Sequence, residues 1–439
     1  MRHFARTPLL LLLAAFTAAA CRGPAGPATD LASYHRFRAT LKPVISSPVV
    51  GDVTGDGDLA IAVGSWDGYF YLVDTELNDL SGWPKYSRDG FFASAALVDL
   101  DDDGALEIVV GAESGQLYAW HHDGSDVPGF PVDLGYQIWA SPTVLEGPRI
   151  AMGSHQEMVL IDGQGLVTAR WPMQGWPVAS AATDGPYLAL TTLTPGNPSL
   201  GWGYVWTVDG AVLDGYPVEL PMDSDSSPAI ADLDGDGQPW FIFGDDAGWL
   251  HVLDRAGQQR EGFPVRTEGP EPGQPTPTPH PPGGNVHSIE ASPAVADLTG
   301  DGRWEIVVGS WDGQLYVWDD KGQPLPGWPV GVDDHIIASA ALVDVTGDGA
   351  LDIIVGCKDG YLYGWTAGAE PLPGFPKDLG APVFSSAWVG DLNGNGKADI
   401  VVGANNGIHL LRDVGTIGRA GWPMFGADVG RSGRATGGH

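Results

Sequence analysis

Aspartates recur in short runs that suit one kind of chemistry. Six runs open at Asp52, Asp99, Asp232, Asp297, Asp344 and Asp391. In each, oxygen-bearing side chains fall on alternate positions. They are Asp52, Thr54 and Asp56; Asp99, Asp101 and Asp103; Asp232, Asp234 and Asp236; Asp297, Thr299 and Asp301; Asp344, Thr346 and Asp348; and Asp391, Asn393 and Asn395. Alternate oxygens around a glycine turn can wrap a hard cation such as Ca²⁺, which takes about six to eight oxygen ligands. Asp and Gly also form turns without any ion. Six copies in register go beyond what turn formation asks for. Carboxylates this close repel one another when uncompensated, so the runs predict Ca²⁺ in up to six loops and a stability that depends on it. The sites read as structural, since closed oxygen cages rarely perform catalysis.

Other reactive side chains have plainer explanations. Cys357 stands where other repeats carry Ser65, Ala112, Ser310 or Ala404, which marks a packing position. His251 stands where other repeats carry Tyr71, Tyr118, Tyr316 and Tyr363, and His155 falls in a hairpin slot held elsewhere by Trp66 and Trp311. No spacing nominates a Ser/His/Asp arrangement, and no Gly-rich phosphate loop opens a helix. The chain is therefore expected not to be an enzyme. Its net charge of −33 argues against nucleic acid and against charge-driven attachment to an anionic membrane. The same surplus suits bound cations.

The elements that must position these loops follow from internal repetition. A Ser followed by Pro or Ala recurs at Ser47, Ser94, Ser141, Ser180, Ser227, Ser292, Ser339 and Ser386. An aromatic followed by Pro recurs at Trp83, Phe130, Trp171, Tyr216, Phe263, Trp328, Phe375 and Trp422. Both markers count eight, mostly 47 residues apart. One 65-residue step holds a Pro-rich insertion at 266–287. Within 292–331, ASPAVADL suits a buried strand, WEIVVGS a second, WDG a hairpin, QLYVWD a third strand and GWPV the start of an outer one. Four short strands per repeat, with 17 Trp in all to fill the space between sheets, predict an all-β fold. The architecture is an eight-bladed β-propeller of four-stranded antiparallel blades, about 47 residues each. Repeats three and four keep the strands and lack the acidic loop. Residues 35–42 either supply an outer strand to the last blade or leave it complete without them.

Units such as DLTGDGRWEIVVGSWDGQLYVW resemble FG-GAP/VCBS repeats, as in integrin α-subunit propellers and many bacterial surface proteins. The resemblance spans roughly 44–423. It implies a loop pattern DxDxDGxxD, with side-chain ligands at positions one, three, five and nine and a carbonyl at seven. Position nine is Glu107, Glu305, Asp352 and Asp399 in repeats two, six, seven and eight, which completes their donor sets. It is Ala60 in repeat one and Trp240 in repeat five. The family includes adhesins, lectin-like modules and polysaccharide lyases. The resemblance thus implies an exported Ca²⁺-binding propeller that serves as a surface binding, adhesion or scaffold module for a protein or glycan. The alternative is a polysaccharide lyase or other carbohydrate-active enzyme on the same plan.

In a propeller the hairpins between second and third strands share a face with the connections between blades. That face, opposite the metal loops, collects Trp66, Trp139, Trp311, Asp333 and His335 as candidate ligand-contacting residues. The N-terminus reads as a signal segment at 1–20, with Arg2 and Arg6 before an apolar run and AAAC at 18–21 resembling a lipobox. Cys21 is then the lipidation site, and 21–43 a tether ahead of a propeller at 44–425 and a tail at 426–439. The protein is expected outside the cytoplasm, attached to the membrane only through that lipid, or secreted. With Cys21 and Cys357 the only cysteines, a lipidated Cys21 leaves no internal disulfide.

Overall fold

The computed structural model describes residues 35–194, 200–267 and 287–435. The signal segment, Cys21 and nearly all of the Pro-rich insertion lie outside these residues. Eight antiparallel sheets stand in sequence around an axis, with no helix among the described residues. Blade one is typical. Its strands are Val49–Gly51, Ala60–Gly64, Tyr69–Val73 and Lys85–Tyr86, from the axis outward. The first three are almost wholly buried, because each blade is covered on both faces by its neighbours. The second strand ends in Gly64, where a Cβ would lie 2.5 Å from Cβ of Phe91 in the next connection. That close approach admits no side chain.

The serine marker has a physical meaning. Ser47 N–H donates to Ser94 Oγ at 2.8 Å, and Ser94 N–H donates to Ser141 Oγ at 3.0 Å. The series continues through Ser180, Ser227, Ser292, Ser339 and Ser386, whose N–H returns to Ser47 Oγ at 3.0 Å. It is a closed belt of eight buried hydrogen bonds, one across each blade interface. Each contributes about 1 kcal/mol net, and leaving its donor unpaired costs more.

Ring closure uses both ends of the described chain. His35–Ala39 pairs with Gly407–Thr416 as the outer strand of blade eight. Ala420–Trp422 adds a fifth strand on the axial side of blade seven, against Ala341–Val343. The segment beyond then runs around the axis. Val389 of blade eight donates to Pro423 O, Leu97 of blade two to Val429 O, and Val144 of blade three to Gly430 O. Thr183 of blade four donates to Ser432 O, and Ile230 of blade five to Gly433 O. Residues 426–435, set apart above as a tail, are thus part of the propeller's axis.

Candidate metal centres and ligand face

Each acidic loop joins the first strand of a blade to its second. The first Asp folds the loop by accepting backbone N–H groups. Asp52 takes those of Gly55 at 2.7 Å and Gly57 at 2.8 Å, and Asp344 takes those of Gly347 at 2.6 Å and Gly349 at 2.8 Å. The same capping recurs at Asp99, Asp232, Asp297 and Asp391. The fifth position caps the turn two residues on, as Asp103 does for Ala105 and Asp348 for Ala350. The ninth-position acids Glu107, Glu305, Asp352 and Asp399 sit at or near the start of the second strand, all but inaccessible. Burial raises all four, lifting Glu305 to about 7 and Asp352 to about 6 against N–H bonds that lower them. Buried carboxylates held ready above their ordinary range are what a cation would discharge.

The loops differ in how they balance charge. In loop two, Asp99, Asp101 and Asp103 bring ligand oxygens within 4.8 Å of one another. Loop five supplies its own cation. Asp234 receives a two-pronged bond from Arg260, at 2.7 and 2.8 Å, and the Trp240 indole N–H at 2.9 Å. The Arg260 guanidinium lies 4.8 Å from the Trp240 ring centre. The ninth-position Trp therefore belongs to a clamp that occupies Asp234, while Asp232 and Asp236 cap the loop. In loop eight, Arg412 lies 3.3 Å from Asp399. Loop one keeps Asp52, Thr54 and Asp56 at the surface, over a buried Ala60.

On the opposite face, Trp66 and Trp139 are tied to one carboxylate. Their indole N–H groups donate to Glu113 Oε2 at 3.1 Å and Oε1 at 3.3 Å. Glu113 was not singled out from sequence; it stands in the hairpin slot that Trp66 and Trp311 hold in blades one and six, and that was the available signal. Trp311 stacks on His335, with ring centres 4.8 Å apart. His335 is 2 % exposed and so supports Trp311 from beneath instead of facing a ligand. Asp333 is exposed. The hairpin acids Asp67, Asp312 and Asp359 accept Tyr71, Tyr316 and Tyr363 hydroxyls from the third strands. His251 does the equivalent with Asp245 at 3.0 Å, which explains a His in a Tyr slot. Cys357 is fully buried, and burial pushes its thiol up, as a packing residue requires.

Two districts emerge on this face. Above blades three and four, Tyr136 is 54 % exposed and stacks on His155 at 3.9 Å, with Trp176 at 6.5 Å. Above blades five and six, Asp225, Asp246 and Glu290 draw together. Desolvation raises all three, and mutual repulsion together with Asp223 raises them further.

Two stretches match known repeat families: 297–355 the FG-GAP-like repeat and 384–419 the FG-GAP repeat. No curated protein matches the chain. Among solved structures it is similar to the computationally designed Ika8 protein, at 15% identity and a TM-score of 0.58 over 85% of this chain and 98% of that one. BamB from Moraxella catarrhalis gives 15% and 0.57 over 86% and 97%. Sqt1 from Saccharomyces cerevisiae gives 12% and 0.58 over 88% and 98%. Likeness at such identities speaks for the fold alone.

Proposed function

The chain is an FG-GAP-repeat β-propeller, and from that premise we propose that it is an exported, Ca²⁺-stabilised binding module without catalytic activity. Its acidic loops hold ions on one face, and the other face takes the ligand. The observation that carries the second half is the aromatic district over the blades that lack acidic loops. Tyr136 on His155, with Trp139 fixed by Glu113, offers preset ring faces to a partner. Preset rings lose little entropy on binding and stack well on sugar rings, which favours a glycan. A glycan array probed with the wild-type chain and with Trp139→Ala and Tyr136→Ala tests this. Binding by wild type that both substitutions weaken at least tenfold is expected. A blank array, with capture instead by a surface protein, would sink the glycan reading and leave the binding one.

One observation favours the lyase alternative: the raised carboxyls of Asp225 and Glu290 include groups able to hold a proton near neutral pH. The same acids repel the anionic polysaccharide that a lyase must bind, and the charge of Lys358 acts on Glu290 less than the repulsion of Asp225 and Asp223 does. Ultraviolet absorbance from unsaturated uronides, on incubation with acidic polysaccharides, would overturn the non-catalytic reading.

Attachment through Cys21 completes the proposal. Metabolic labelling with a fatty-acid analogue should mark the wild-type protein and not Cys21→Ser. Equal labelling of both would remove the anchor.

A further inference from the structure

The turn after each third strand opens on a residue that usually serves the turn itself. In blades one, three, five and six it is Asp74, Asp162, Asp254 and Asp319. Asp74 Oδ1 accepts the N–H groups of Glu76 and Asn78, both at 2.8 Å. Asp254 does the same for Ala256 and Gln258, and Asp319 for Lys321 and Gln323. Blade two has His121 in this slot, and an imidazole cannot make that pair of bonds. Asp123 takes over, accepting Ser125 N–H at 2.8 Å.

His121 is thereby released. It reaches across to the second strand, where Nδ1 lies 3.2 Å from Glu107 Oε1. Glu107 is fully buried, and its other oxygen is held by Leu100 N–H at 2.6 Å. Asp101 completes the group: one ligand atom each from Asp101, Glu107 and His121 all lie within 4.8 Å of one another. Asp101 also belongs to the set with Asp99 and Asp103. It can therefore serve an ion from either side. Donors bonded to one ion at about 2.0–2.2 Å lie about 3–4 Å apart, a small contraction from this arrangement. Among the described residues, these two overlapping sets are the ones that gather three such donors, and one of them contains a nitrogen.

We propose that loop two is a mixed oxygen–nitrogen site that takes a transition-metal dication of the Zn²⁺ class through Asp101, Glu107 and His121. This deepens the reading of the loops as cation sites, giving one of them a different ion. Ca²⁺ takes oxygen donors, whereas imidazole beside carboxylates suits Zn²⁺ and its neighbours, which outcompete it at nitrogen. His121 is thus the specificity-determining residue of the loop.

The test uses the full chain with Ca²⁺ held at several millimolar, so that all-oxygen loops are filled. Calorimetric titration with Zn²⁺ should show one equivalent bound in that background. His121→Gln should weaken it by about 10–100-fold or more. His121→Asp, which restores the residue of blades one, three, five and six, should do the same. His121 keeps 22 % of its side chain exposed, so both variants are expected to fold, and a melting curve checks this. Co²⁺ in place of Zn²⁺ gives a visible absorption band that must depend on His121. Zn²⁺ affinity unchanged in His121→Gln, or no uptake over the Ca²⁺ background, overturns the proposal. A separate Ca²⁺ titration without Zn²⁺ reports on the other loops. Lost Ca²⁺ uptake with His121-dependent Zn²⁺ binding retained would overturn the Ca²⁺ reading and support this one.

Discussion

Ending the chain at Thr416 is expected to lower the melting temperature by about 10 °C or more, and Arg431→Ala alone by about 5 °C. Arg431 is 1 % exposed. Its Nε donates to Ala95 O at 2.8 Å, and Nη2 to Ser47 O and Pro48 O, both at 3.2 Å. Nη1 donates to Phe425 O in its own segment. One guanidinium so joins blades one and two to the axial segment. Burial pushes its pKa down to about 9, still above neutral, so it stays charged. Removing it takes a donor from each of these carbonyls, at about 1–3 kcal/mol for each one left unpaired where water cannot reach. A net loss of about 4 kcal/mol, over roughly 0.8 kcal/mol per degree for a chain this long, gives the stated shift. Arg431→Lys should recover only part, because a point charge cannot serve four carbonyls in different directions. Arg434→Ala, whose side chain is exposed, is the control and should melt like wild type. Thermal melts of these four variants decide the matter. A chain ending at Thr416 that melts with wild type would show the axial segment to be a passenger.

This part of the fold was illegible in the sequence for a physical reason. Residues 425–435 read FGADVGRSGRA, polar and glycine-rich, with neither strand period nor apolar face. What holds them is backbone hydrogen bonding to four successive blades, at Leu97, Val144, Thr183 and Ile230, which leaves no pattern in side chains. The serine series was legible as a period, but a period cannot say that each Oγ accepts the serine N–H of the preceding blade. The acidic loops were the most legible feature, because side-chain ligands must recur at fixed spacing. Their exceptions were only half visible. Trp240 signals that loop five departs from the others, yet the guanidinium that holds Asp234 comes from Arg260, outside the loop. His121 lies 22 residues beyond Asp99, and only comparison of slots across blades brings it forward. His335 failed as a surface candidate because a connection loop can bury its side chain beneath a neighbouring hairpin.

Withdrawal of Ca²⁺ is expected to destabilise the protein, and by more at pH 7.5 than at pH 5. Loop sites of extracellular modules bind at about 10⁻⁴–10⁻³ M. An ion at ten times its dissociation constant stabilises by about 1.4 kcal/mol per site, so Ca²⁺ in loops six, seven and eight gives about 4 kcal/mol. The pH dependence comes from the ninth-position acids. Burial lifts Glu305 from 4.5 to about 7 and Asp352 from 3.8 to about 6. Between the unfolded and folded values the native state holds a proton that the unfolded chain has released. Native stability without metal therefore falls as pH rises through that window, and the penalty is complete above about pH 7. Asp52 and Asp391 have lowered values, since loop N–H bonds outweigh the cost of burial. Their contribution is lost only as pH falls below the ordinary carboxylate range, outside this window. A bound cation replaces the proton and cancels the penalty. In EDTA the melting temperature should drop from pH 5 to pH 7.5, while in millimolar Ca²⁺ it should stay nearly level. Asp348→Asn should remove one equivalent from a Ca²⁺ titration, because Asp348 supplies the fifth-position oxygen of loop seven while Asp344 keeps the loop folded. A Ca²⁺ increment equal at the two pH values would mean that the buried acids are not where the ion acts. No increment at either would mean that the acidic loops are turns and nothing more.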